Sequence, residues 1–86
     1  MAVRITGKVQ GVGFRMATVR QAHSLGVTGW VRNLEDGSVE ALLQAPHDAV
    51  DKMLSWLHVG PRSARVEQVD SQELRDERHY DRFEQI

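Results

Sequence analysis

The constraint that most narrows the fold is a change of period around residues 9–15. From Val3 to Val9 (Val3-Arg4-Ile5-Thr6-Gly7-Lys8-Val9), apolar or small residues fall at every second position, the period of a half-buried strand. From Phe14 onward, Phe14, Ala17, Thr18, Gln21, Ala22 and Leu25 lie three or four apart, as on one face of a helix. Between them stands Val9-Gln10-Gly11-Val12-Gly13-Phe14-Arg15, so a strand runs into a glycine loop and the loop opens a helix. That junction suits an anion. A helix N-terminus leaves its first N–H groups without partners, and glycines let backbone approach a ligand closely. Arg15 adds a planar fork of donors that matches phosphate or carboxylate.

The rest of the chain continues the alternation of periods. Leu25-Gly26-Val27 gives the first helix a glycine stop. Val27 to Asn33 alternates again, Asp36-Gly37 marks a tight turn, and Val39, Ala41, Leu43 and Ala45 return, which predicts an antiparallel hairpin. Pro46 ends that strand. Val50, Met53, Leu54 and Leu57 predict a second helix over about Ala49–Val59, with Asp48 and Asp51 in its first turns and Gly60-Pro61 closing it. Ala64, Val66 and Val69 predict a strand whose alternation slips by one residue, as a β-bulge would make it. Residues 71–81 are highly polar and read as a solvated strand end and loop, and Arg82 to Ile86 as a short edge strand. The order is βαββαβ with a possible fifth strand. This predicts an α+β, ferredoxin-like split βαβ sandwich: one domain over residues 1–86, an antiparallel sheet and two helices on one face. The fold alone names no function.

Composition excludes several classes. With 86 residues and 41% hydrophobic content, the chain can bury one modest core and forms one domain. A net charge of -1 argues against a nucleic-acid binder that works by bulk charge. There is no cysteine, hence no disulfide framework, thiol chemistry or Cys-based metal site. Met1-Ala2-Val3-Arg4 enters the first strand at once, and no apolar run reaches membrane-spanning length. The expectation is a soluble, cytoplasmic protein without a membrane partner.

Taken singly, the candidate residues leave alternatives open. A lone Gly-x-Gly with an arginine also fits a tight strand-to-helix connection with a solvated side chain. It is neither a Walker loop nor the longer dinucleotide fingerprint. Asn33 fits a turn residue best by type, although its carboxamide could hold an attacking water. It shares a strand face with Val31 and Gly29, opposite Trp30 and Arg32. His23, His47, His58 and His79 are scattered and read as surface residues, not metal ligands. The carboxylates from Asp70 to Glu84 alternate with Arg75, Arg78 and Arg82, a solvated surface pattern.

Two longer segments carry a resemblance. Gly7-Lys8-Val9-Gln10-Gly11-Val12-Gly13-Phe14-Arg15 resembles the first signature of the acylphosphatases, and Gly29-Trp30-Val31-Arg32-Asn33-Leu34-Glu35-Asp36-Gly37-Ser38-Val39-Glu40 resembles the second. Gly60-Pro61 with Ala64-Arg65-Val66 and Val69 resembles the segment after the second helix, though Arg62 stands where many members have a second proline. The resemblance spans nearly the whole chain. It implies a ferredoxin-like enzyme that hydrolyses the carboxyl–phosphate bond of acyl phosphates without metal or cofactor. Arg15 and Asn33 are then the catalytic pair. Arg15 binds the substrate phosphate, Asn33 orients the water, and Gln10, Gly11, Val12, Gly13, Phe14 and Arg15 form the phosphate-binding loop. The implied partner is a small-molecule acyl phosphate, with phosphate or a similar anion in the loop. No nucleic acid or membrane partner is expected, and the chain is expected to be a monomer. Two alternatives are an RNA-binding module of the same fold and a carbamoyl-phosphate-handling module like the N-terminal domain of hydrogenase-maturation carbamoyltransferases. The first strand lacks the aromatic residues an RNA-binding sheet uses, and the second module belongs to much longer chains.

Overall fold

The computed structural model describes residues 1–75 and 78–86. Its elements are β1 (Ala2–Lys8), α1 (Phe14–Leu25), β2 (Thr28–Asn33), β3 (Val39–Gln44), α2 (His47–Val59), β4 (Arg65–Gln72) and β5 (Phe83–Gln85). The strands form one sheet in the order β4-β1-β3-β2-β5. β1 and β2 flank β3, and each pairs with it antiparallel. They therefore run the same way, and their carboxyl ends finish at one edge of the sheet. That is the split βαβ arrangement expected from the order of periods.

One face of the sheet is closed by apolar side chains at alternate positions: Val3 and Ile5 on β1, Val39, Ala41 and Leu43 on β3, and Val31 on β2. Phe14 and Ala22 from α1, and Val50, Met53 and Leu57 from α2, pack into the same core, so both helices cover that face. The α1 stripe is narrower than its sequence promised. Phe14, Thr18 and Ala22 are buried, while Ala17, Gln21 and Leu25 are only half-buried. Helix α2 starts at His47, earlier than the apolar stripe indicates, because the Pro46 carbonyl accepts from the Ala49 N–H at 3.0 Å and the Val50 N–H at 3.1 Å. The opposite face carries Ala2, Trp30 and a buried Leu42 toward one end, and charged residues toward the other. There Arg32 pairs with Glu40 at 2.6 Å and lies 5.1 Å from the centre of the Trp30 ring.

The sheet is mixed, not wholly antiparallel, because β5 joins β2 in parallel, with Gly29 opposite Phe83. The reason is topological. β4 ends at the edge of the sheet opposite the carboxyl ends of β1 and β2. The chain must cross beneath the sheet before β5 can begin, and so β5 runs back in the direction of β2. Gln44, at the end of β3, holds the crossing: its Nε2 donates to the Arg78 carbonyl and its Oε1 accepts from the Tyr80 N–H, at 2.8 and 2.9 Å. Of the segment expected to be strand end and loop, Ser71 and Gln72 belong to β4, and Asp76 and Glu77 lie outside the described residues.

The slip between Val66 and Val69 is a β-bulge. Thr6 pairs with Gln68 but Gly7 pairs with Val66, which leaves Glu67 as the extra residue. Gly7 faces this bulge at φ 125°, and a Cβ there would stand 2.2 Å from the Arg65 carbonyl oxygen. The nearest atoms are all β4 backbone, with no flexible side chain to give way. Gly7→Ala should therefore lower stability by more than about 2 kcal/mol, whereas Lys8→Ala, exposed on the same strand, should stay within about 0.5 kcal/mol. Urea unfolding of the two variants tests this, and similar midpoints would contradict the close packing at the bulge.

Candidate active site

The site forms where the carboxyl ends of β1 and β2 meet the N-terminus of α1. Phe14 anchors the loop between them. It is 1% exposed, with its ring against Trp56 of α2 at 6.1 Å between centroids. Burying such a ring contributes roughly 1.5–3 kcal/mol. The residues just before it are thereby fixed to the core without being buried themselves.

Gly11 and Gly13 have φ 73° and 76°, the left-handed region. A Cβ at either would meet nothing within 4 Å, so glycine is required by backbone conformation and not by space. Gly13 is the N-cap of α1, and its carbonyl accepts from the Ala17 N–H at 3.0 Å. The N–H groups of Gln10 through Arg15 find no backbone acceptor among the described residues. This leaves a run of donors at the positive end of a helix, with no acidic residue in the first turn to compete for them.

Three tethers hold this loop in place. Ser63, in the connection between α2 and β4, donates its hydroxyl to the Val12 carbonyl at 2.7 Å. In a trans peptide the N–H points opposite to the C=O, so this bond aims the Gly13 N–H away from Ser63. Arg15 is half-buried, and its Nη1 donates to the Ile86 carbonyl oxygen at 3.2 Å. The Ile86 N–H in turn donates to the Val31 carbonyl at 2.9 Å. The guanidinium is thus set beside the last residues of β2. Finally, the Gln10 Nε2 donates to the carbonyls of both Leu34 and Ser38, each at 2.8 Å.

Asn33 is the last residue of β2 and pairs with Val39, whose side chain enters the core. It therefore faces the helix side of the sheet, at the same edge as the loop. The residue is exposed, and its carboxamide makes no hydrogen bond among the described residues. The turn that follows is rigidly built. The Leu34 N–H donates to the Ser38 carbonyl at 2.9 Å, the Gly37 N–H to Leu34 at 3.2 Å, and Asp36 Oδ1 accepts from the Ser38 N–H at 3.0 Å and from its hydroxyl. Arg4 pairs with the other Asp36 oxygen from the open face of the sheet.

The structure thus brings Gln10, Gly11, Val12, Gly13, Phe14 and Arg15 to one edge of the sheet with Asn33. Sequence reasoning missed the side-chain role of Gln10 and the tethers from Ser63 and Ile86. All three act across at least 24 residues of chain, and no local pattern marks them. The histidines stay away from the loop. His47 and His79 pair with Asp51 and Asp81, while His23 and His58 contact the carbonyls of Phe83 and Leu54. Among the described residues no group of three His, Asp or Glu side chains could hold a metal ion. A concavity of about 590 Å³, lined by Met1, Gln44, Glu73 and Leu74 among others, lies at the opposite end of the sheet and contains none of the loop residues. The polarity of the loop lies in its backbone N–H groups.

The family model described as Acylphosphatase matches residues 1–85. The chain belongs to the acylphosphatase family. An acylphosphatase of Paraburkholderia xenovorans is 63% identical over 83 residues, covering 96% of this chain and 86% of that protein. The crystal structure of the Bacillus subtilis acylphosphatase matches at TM-score 0.95 and 30% identity, over 99% of this chain and 94% of that one. The structure of a Coxiella burnetii acylphosphatase matches at TM-score 0.94 and 38% identity, over 99% of this chain and 88% of that one. The acylphosphatase fold accounts for every described element. No helix among the described residues is long and apolar enough to cross a membrane.

The Asp36 turn gives a direct test of how firmly the Asn33 end is built. The Ser38 hydroxyl, then the Ser38 N–H, and further the Arg4 charge hold the Asp36 carboxyl below its ordinary pKa. A depressed folded pKa means that these bonds contribute stability above the unfolded aspartate value of about 4 and lose it as pH falls through the folded value. The carboxyl resonance of Asp36 should titrate below about 4 in the native protein and move up in Ser38→Ala. Identical midpoints in the two proteins would contradict the turn geometry.

Proposed function

We propose that this acylphosphatase, which hydrolyses the carboxyl–phosphate bond of acyl phosphates, holds the phosphate with Arg15 and the N–H groups of Gln10 to Arg15 and holds the attacking water with Asn33. The observation that carries this reading is the run of N–H groups without backbone acceptors at the start of α1, beside a tethered arginine. Phosphoryl transfer depends mainly on positioning and on stabilising charge on the equatorial oxygens, and the cradle supplies both. Water forms a bond to phosphorus as the bond to the acyl oxygen breaks, and the carboxylate leaves. Asn33 takes no proton at neutral pH, so the water's proton passes to a phosphoryl oxygen and leaves with inorganic phosphate. A carboxylate is a good leaving group, so a strong general base is unnecessary. The positive field comes from the chain itself, and we read the reaction as independent of metal or cofactor. We read the protein further as a cytoplasmic monomer that binds no nucleic acid, in keeping with its charge of -1.

Arg15→Ala should reduce kcat/KM for acetyl or benzoyl phosphate by about 10²-fold or more and weaken inhibition by phosphate, with the thermal midpoint little changed. Arg15→Lys should do poorly, because it lacks the planar fork. Near-normal hydrolysis by Arg15→Ala would remove the arginine from the phosphate site. Asn33→Ala should lower kcat while leaving the phosphate inhibition constant nearly unchanged, since a group used chiefly in the transition state appears in kcat. Asn33→Asp should weaken phosphate inhibition as well, because it brings negative charge toward the bound anion. If Asn33→Ala raises the inhibition constant as much as it lowers the rate, Asn33 is a phosphate ligand.

Metal dependence is tested separately. Activity should survive dialysis against a strong chelator. Loss on chelation, restored by one divalent ion, would overturn the metal-free reading.

A further inference from the structure

We infer that the side chain of Gln10 is a positioning residue: it acts as a two-pronged strut that sets the distance between the phosphate loop and the water-holding Asn33. This rests on the roles proposed above for the loop and for Asn33. The carboxamide nitrogen has two N–H donors, and it spends both across the site, on the carbonyls of Leu34 and Ser38 at 2.8 Å each. Leu34 follows Asn33 directly, and Ser38 precedes Val39, the strand partner of Asn33. The two acceptors therefore bracket the turn at both of its ends. The same two carbonyls close the turn internally, accepting from the Gly37 and Leu34 N–H groups. One side chain thus fastens the loop to a turn already closed by its own hydrogen bonds. The contact is partly buried, and Ser38 itself is 3% exposed, so water does not readily replace the strut.

The two parts of the site depend on Gln10 unequally. The loop keeps its other tethers when Gln10 is changed: Phe14 stays in the core, Ser63 still holds the Val12 carbonyl, and Ile86 still holds Arg15. The turn has no other side-chain bond to the loop among the described residues. Loss of the strut should therefore leave the phosphate cradle nearly intact and let Asn33 drift relative to it. A misplacement of about 1 Å between reacting groups can cost about 100-fold in rate.

The test is a double-mutant cycle on Gln10→Met and Asn33→Ala, with benzoyl phosphate kinetics, phosphate inhibition constants and thermal midpoints for each protein. Methionine keeps the length and volume of the stem and removes both donors. Gln10→Met should lower kcat by about 10- to 100-fold, leave the phosphate inhibition constant within about twofold, and cost little more in the Asn33→Ala background. An unchanged kcat overturns the proposal. So does an inhibition constant that rises in step with the loss of rate, which would make Gln10 part of the cradle, and so does an equal loss in both backgrounds. If Asn33→Ala alone keeps full activity, the water role of Asn33 falls first, and a remaining Gln10→Met defect would belong to another route. Should Gln10→Met not fold, Gln10→Glu carries the same question. Its ionised carboxylate offers no donor to the two carbonyls and regains one on protonation, so its kcat deficit should shrink as pH is lowered toward the carboxyl's pKa. A deficit constant with pH would overturn the strut.

Discussion

Everything at the active edge depends on β1 and β2 running the same way on either side of β3. That arrangement delivers the ends of two strands, and the start of the helix that follows the first, to one place. It is held by one buried face of the sheet under two helices. The cost of ordering a small chain is met there, by apolar side chains that take no part in chemistry. The candidate site residues can then be exposed or half-buried and still be held in place, because each stands one or two positions from a core residue: Arg15 beside Phe14, and Asn33 two positions from Val31 and opposite Val39.

The electrostatics follow from the same economy. A phosphate needs positive potential and donors directed at its oxygens. On the reading proposed above, most of the donors are backbone N–H groups at a helix start, beside glycines at φ 73° and 76°. Such donors cost no side-chain entropy, and the buried Phe14 and the Ser63 bond restrain the loop that carries them. The arginine beside them, Arg15, is restrained by Ile86, which is itself bonded to β2. The last strand thus has a second use. Short and parallel at the sheet edge, it adds little core beyond Phe83, yet it ends against the arginine of the cradle.

Much of this architecture is written locally. Helix α1 spans Phe14–Leu25 as its period predicts, and Gly26 ends it at φ 71°. The slip between Val66 and Val69 marks a real bulge, because alternate burial leaves no other way to keep both valines inward. The parallel pairing of β5 was not legible, since a strand's own period is the same in either direction and only the crossing under Gln44 decides its sense. By residue type the loop and Arg15 suited an anion but equally a plain strand-to-helix connection, and Asn33 by type alone remained a turn residue.

The sequence by itself therefore determined the order and type of the strands and helices, which faces are apolar and where a glycine loop with an arginine opens the first helix. These depend on periods of two and 3.6 residues and on the conformational range of glycine, which short segments carry within themselves. Only the tertiary structure decided that the Gln10 side chain joins the loop to the turn after Asn33, that Ser63 aims a loop peptide, and that Ile86 restrains Arg15. Each of these bonds joins residues at least 24 positions apart, and a hydrogen bond at 2.7–3.2 Å exists only once packing has brought both partners within reach.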